Sequence, residues 1–351
     1  MFKSLPYTHA ACLCVFLLAC QAPDAYEAGR LYVTSGLTDQ LMVIDAGDGS
    51  FIRALEMDLR PGETDEPHGV ALSPDGAFLF ATLAHGSPTV WKFTTADERL
   101  VGRLELPTRG ASRIGLTPDG QRAFVPDYWR SGQGRVSGMA VIDTHELELI
   151  GTPDLCPAPH DAQVDPTGMW VAVACSLSDE IVVLDAVTLE ERSRFPAGVD
   201  PGVPGSPSYK PLNLVWSPEG HLVFVTLAVA GTVGAFSPDS GIIATTPVGA
   251  GPTQIAITSD GGTLVVANRG DGSLSILDAR TLAERTRVPL PGAPHPHGVS
   301  LDTTGRRAFV SYEGTIESAG GVITVDLESA EVLWRAEVGQ FTLGVVFLAD
   351  Q

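Results

Sequence analysis

Ser73-Pro74-Asp75-Gly76, Thr117-Pro118-Asp119-Gly120, Asp165-Pro166-Thr167-Gly168, Ser217-Pro218-Glu219-Gly220, Thr258-Ser259-Asp260-Gly261 and Asp302-Thr303-Thr304-Gly305 are one turn written six times. The spacing is about 45 residues, and apolar runs flank each copy. Proline presets φ at the second turn position, and glycine suits the fourth. A repeat of this length with several strands in it is a blade of a β-propeller.

The unit around the first turn shows the strands. Apolar runs at 68–72, 77–82, 89–93 and 100–106 are separated by turn or loop residues. The same order recurs downstream. The N-terminus starts at what would be a second strand, 30–34, with no inner strand before it. The C-terminus ends in an unpartnered apolar run, 343–348. Pairing these two closes the ring and leaves no open sheet edge. The chain is therefore expected to be all-β: a seven-bladed propeller of four-stranded antiparallel blades over residues 30–351, closed by the C-terminal strand joining the N-terminal blade.

With 351 residues nearly all inside the repeat, one domain is the better count. The formal net charge of −20 repels phosphate backbones, and no basic run offsets it, so nucleic acid is not an expected partner. Residues 1–19 read as an export signal. Lys3 supplies a positive start, and the apolar stretch 10–19 is too short to span a bilayer as a mature helix. The stretch Leu17-Leu18-Ala19-Cys20 resembles a bacterial lipobox. That resemblance implies a diacylglycerol on the Cys20 thiol, residues 20–29 as a linker, and an exported protein whose only membrane contact is its lipid anchor. Gln21 in place of aspartate favours the outer membrane, with the propeller periplasmic or surface-facing.

Leu31-Tyr32-Val33-Thr34-Ser35, the proline-led turns and third strands such as Ser273-Leu274-Ser275-Ile276-Leu277-Asp278 resemble the YVTN-repeat propellers. The resemblance covers residues 30–351 and implies the fold. Related seven-bladed proteins include lactonases and periplasmic dehydrogenase subunits, so it leaves the activity open.

Many acids belong to the scaffold. Asp45, Asp143, Asp185, Asp278 and Asp326 follow the third strands at one register, where a carboxylate accepts from the next turn's amides. Chemistry must be sought where the repeats differ. Five residues before each turn, at the rim of the inner strand, stand His68, Ser112, His160, Leu212, Thr253 and His297. Proline precedes five of the six. The histidines are not scaffold, because Ser, Leu and Thr occupy the same place. On a sevenfold ring with blades about 51° apart, they lie about 103°, 154° and 103° from one another around the channel. Three imidazoles with an open position suit zinc or copper. Equally, they would line a polar channel mouth without metal.

Loops on the same upper face add polar groups. Arg113, Lys210, Asn268, Arg269 and Tyr312 are candidates for holding a ligand. Asp127, Tyr128 and Glu313 are candidates for acid–base roles. Cys156 and Cys175 fall on the upper side of one blade, as a disulfide or as two buried thiols. The Pro/Gly-rich segment 196–211 is a candidate lid or, equally, inert padding. No Cys-x-x-Cys-His haem motif, Gly-x-Ser-x-Gly elbow, phosphate loop or EF-hand loop is present. The leading expectation is an exported binding module taking a small molecule or partner protein on its upper face. The alternative is a metal-dependent enzyme, lactonase-like or oxidoreductase, with its metal on His68, His160 and His297.

Overall fold

A computed structural model describes Met1, residues 26–315 and residues 317–350. Apart from Met1, the expected export signal lies outside them, as do Cys20 and the first part of the expected linker. Seven antiparallel sheets surround a central channel, six of them four-stranded. Their inner strands are Thr342–Ala349, Pro67–Leu72, Gly115–Leu116, Pro159–Val164, Pro211–Trp216, Pro252–Ile257 and Pro296–Leu301, for blades 1 to 7 in turn. Blade 1 is closed as expected. Thr342–Ala349 pairs with Gly29–Ser35, matching Tyr32 to Val346 and Leu31 to Phe347. Blade 3 departs from the pattern. Its inner strand is two residues long, and a fifth strand, Asp154–Pro157, pairs with Val136–Asp143. Among the described residues the one helical element is a 3-10 turn, Arg130–Gly132.

The alternation of each strand buries one face against the next blade. Seven apolar clusters result, each shared by neighbouring blades: Phe309 of blade 7, for example, packs with Val33 and Ile44 of blade 1. The post-strand aspartates act as expected. Asp185 accepts from the amides of Val187 and Thr188 at 2.8 and 2.7 Å, and Asp278 from those of Arg280 and Thr281.

The inner strands carry two irregularities that build the site. The first is a bulge at the rim. Pro67 pairs with Leu83 and Val70 with Ala81, so His68 and Gly69 share a single opposing residue, Thr82. The pattern repeats in blades 5, 6 and 7. A bulge frees an amide and re-aims side chains. The freed Gly69 N–H donates to Thr82 Oγ1 at 2.8 Å, and that hydroxyl donates to Ser112 O of the next blade at 2.6 Å.

Every blade makes one such contact to the next. Thr34 reaches His68 O, Ser112 reaches His160 O, Thr226 reaches Thr253 O, Thr253 reaches His297 O and Ser311 reaches Leu343 O. In blade 4 the donor is His160, whose Nδ1 lies 2.9 Å from Leu212 O. A carbonyl can only accept, so Nδ1 carries the proton. The rim is thus a closed belt of seven inter-blade hydrogen bonds, each contributing about 1 kcal/mol net.

The second irregularity precedes the rim. Glu66, Ala158, Lys210, Gly251, His295 and Phe341 all adopt left-handed backbone, with φ between 49° and 58°. Each stands immediately before its inner strand, where the chain turns down from the upper face into the channel.

Candidate functional site

The upper end of the channel holds a cavity of about 290 Å³. Its floor is the rim belt, with His68, His160 and His297 beside Leu212, Thr253 and Leu343. Its walls carry Glu66, His85, Tyr128, Arg130, Lys210, Arg269, Glu313 and Phe341.

The register argument brings the three histidines together. The His68 ring lies 5.9 Å from His160 and 5.7 Å from His297, edge to face in both cases. Tyr128 stands edge-on to His160 at 4.5 Å. Among the described residues, however, no group of three or more His, Cys, Asp or Glu side chains is placed to hold a metal ion. Each ring follows its own strand, and His160 is tied through Nδ1 to a backbone carbonyl. The rings pack against each other's edges, and the zinc or copper ligand set expected from their register is not formed.

The electrostatics divide the cavity. Burial pushes His160 well below the ordinary imidazole value, and the charges of His68 and His297 add to this. Burial, then the charges of His68, Arg269 and Arg113, push His297 down to about 3. Both rings are neutral at pH 7. Glu66 Oε1 lies 3.6 Å from His68 Nδ1, and its Oε2 lies 3.4 Å from Nε2 of the exposed His85. Burial is the largest influence on Glu66 and raises it, yet the attraction of the nearby His68, with the charges of His85 and His297, brings the net below the usual value. Glu66 is therefore a carboxylate. Both His68 ring nitrogens are buried without a hydrogen-bond partner among the described residues.

Across the cavity Arg269 grips Glu313 through two hydrogen bonds of 2.6 Å, from Nε and from an Nη. This raises the guanidinium still further. Burial, then the charges of Arg130 and Arg269, hold Lys210 below its usual value. The Cys156–Cys175 pair is a disulfide, with Cα atoms 5.9 Å apart. It joins the strand before His160 to the end of the neighbouring strand Trp170–Cys175.

Four candidates sit elsewhere. Arg113 lies beneath the rim, one residue along the inner strand from Ser112, in the lower channel with Gln163 and Gln254. It faces Asp161 at 3.6 Å, where burial outweighs their attraction for both partners. Asn268 ends its strand pointing into the blade, and its amide donates to Ser273 and Ser275. Tyr312, also at a strand end, is buried among Val265, Val310 and Ile323. Burial pushes its hydroxyl up to about 12. Asp127 is buried and accepts from the Arg109 amide at 3.1 Å, holding two loops together. Sequence reasoning missed Glu66, Arg130 and Phe341. For Glu66 and Phe341 the available signal was the position immediately before an inner strand, which varies from blade to blade; for Arg130 it was membership of the long upper loop that carries Asp127 and Tyr128.

The segment 196–211 is pinned. Asp179 accepts from the amides of Gly202, Ser208, Tyr209 and Lys210 at 2.6–3.1 Å. The lid expectation fails because one buried carboxylate holds four backbone donors of the segment.

A family model described as Lactonase, 7-bladed beta-propeller, matches residues 152–315. That stretch holds His160, Lys210, Arg269, His297 and Glu313, whereas Glu66, His68 and Tyr128 lie before it. No curated protein matches the chain. Solved structures give the same architecture. A functionally unknown protein from Desulfotomaculum acetoxidans is 14% identical with a TM-score of 0.72, over 92% of this chain and 100% of that one. The periplasmic gluconolactonase of Pseudomonas aeruginosa is 19% identical with a TM-score of 0.70, over 92% and 99%. Hydrazine synthase of Kuenenia stuttgartiensis is 18% identical with a TM-score of 0.69, over 83% and 92%. At such identities the likeness establishes the seven-bladed fold, and chemistry must be argued from the site.

Proposed function

We propose that this protein is a hydrolase of lactones or related esters, with its reaction centre in the upper channel cavity. One observation carries the reading: a buried imidazole, His68, on a cavity floor has two ring nitrogens without a hydrogen-bond partner among the described residues and a carboxylate, Glu66, at its Nδ1 side. With Glu66 Oε1 standing 3.6 Å from Nδ1, His68 Nε2 takes a proton from water while that water's oxygen bonds to the lactone carbonyl carbon. The carbonyl oxygen gains the negative charge and faces Arg269, which Glu313 holds in place. When the carbonyl re-forms, the ring C–O bond breaks. The leaving alkoxide takes a proton from the His68 imidazolium, giving the hydroxy acid. His160 and His297, both neutral, leave the positive charge to His68.

The match to the Lactonase family model and the likeness to a gluconolactonase support this reading over a pure binding module. No step uses a metal, because the imidazoles as placed do not form a ligand set. Export fits the same reading, since the Cys156–Cys175 disulfide suits an oxidising compartment and the leader supplies the route. We place the protein in the envelope, anchored through Cys20.

The test is hydrolysis of gluconolactone and a panel of other lactones in a pH-stat. His68→Asn should lower kcat about a hundredfold or more, the range for a lost general base. No turnover above the spontaneous rate on any lactone, or full activity in His68→Asn, overturns the reading.

A further inference from the structure

A second lobe of about 370 Å³ opens from the side of the cavity, and Tyr128, Arg130 and Lys210 line both. Its outer walls are Gln133 and Leu177 on one side and the turn at Pro204 and Gly205 on the other. This lobe is built. The Gly205 amide donates to Leu177 O at 2.8 Å, and Asp179 fixes the rest of the segment. Gly134 packs so closely on Pro204 that a Cβ there would stand 2.5 Å from a backbone carbon.

The charges at the junction are unbalanced. Arg269 has Glu313, but among the described residues no carboxylate pairs with Arg130 or Lys210. The chain as a whole is strongly acidic, at a net −20. Two unpaired cations facing one cavity repel each other, and a bound anion relieves this. Arginine offers a planar fork of donors and lysine a point charge, the combination that holds an anionic oxygen group. Tyr128 between the lobes offers a ring face and edge to a sugar.

On the hydrolase reading above, we infer that the ligand is an acidic disaccharide. Its lactone unit lies over His68, and a second, carboxylate-bearing sugar fills the side lobe with its acid group between Arg130 and Lys210.

Binding of digalacturonate, cellobiose and galacturonate to the intact protein, by calorimetry at low and at physiological salt, tests the inference without requiring catalysis. Digalacturonate should bind at least about tenfold tighter than either comparison, and weaken with salt. Arg130→Gln with Lys210→Met should bring it level with cellobiose. Leu177→Trp, which fills the lobe, should weaken digalacturonate and leave galacturonate unchanged. Equal binding of the neutral disaccharide, equal binding of the monomer, or an unmoved affinity in both variants overturns the inference. Tight digalacturonate binding in a protein that hydrolyses no lactone would sink the hydrolase reading and leave the acidic-sugar site standing.

Discussion

Thr82→Val tests whether the rim belt holds the site. Valine keeps the volume and shape of threonine and removes one hydroxyl. That hydroxyl is fully buried and serves two backbone groups, accepting from Gly69 N at 2.8 Å and donating to Ser112 O at 2.6 Å. The bulge leaves Gly69 N–H without a ladder partner, so no other acceptor replaces it. Each orphaned group costs about 1–3 kcal/mol, and the sum is about 2–6 kcal/mol. Urea unfolding should show a lower midpoint with an unchanged m-value. His68 adjoins the freed amide, so lactone hydrolysis should fall while the fold persists. A loss below about 0.5 kcal/mol would refute the belt as a stabilising device. Thr64→Val, at an exposed position in the loop before the inner strand of blade 2, is the control and should cost little.

Four further outcomes are expected. Gly298→Ala places a Cβ 2.4 Å from Leu343 O, forcing blades 7 and 1 apart at a cost of about 1–3 kcal/mol; an unchanged melting temperature would contradict the close approach. His160 and His297 are both pushed below the free imidazole value, so below pH 6.5 the unfolded chain binds protons that the folded one does not. Stability should fall as pH drops from about 6.5, the His297 part levelling off near 3, and His297→Gln should flatten that slope in urea titrations at pH 7.5 and 5. Reducing Cys156–Cys175, which closes a loop with a sequence separation of 19, should cost about 3 kcal/mol; two thiols alkylated without reductant would disprove the bridge. Cys20→Ser should abolish labelling with a fatty-acid probe and release the protein from the membrane fraction.

Much of the architecture was legible because the turn Ser-Pro-Asp-Gly and its variants must recur at every inner hairpin. The unpaired runs at the two ends fixed the blade count, since an open propeller edge would be unstable. The gathering of His68, His160 and His297 followed from register alone. What ring symmetry could not provide was side-chain direction. Asn268 and Tyr312 end strands on the upper face, yet the pleat turns both into their blades. Arg113 is one residue past the rim, and that single step moves it to the lower channel. Imidazole orientation was equally hidden, because the Leu212 carbonyl that fixes His160 comes from another blade. Glu66 escaped notice because its aim depends on a left-handed backbone that no local glycine announces.

That backbone turn has a consequence for how such a protein changes over time. The residue before six of the seven inner strands, from Glu66 round to Phe341, is held by the scaffold in one left-handed pose. Six such sockets ring the upper end of the channel, those of Glu66, Lys210 and Phe341 line its chamber, and each can be refitted alone. The conformation costs about 1–2 kcal/mol for a residue other than glycine, a toll charged once per socket whatever side chain fills it. Glutamate, lysine, histidine and phenylalanine already occupy four of them. A new preference among ligands can arise by exchanging these fittings while the belt beneath stays as it is.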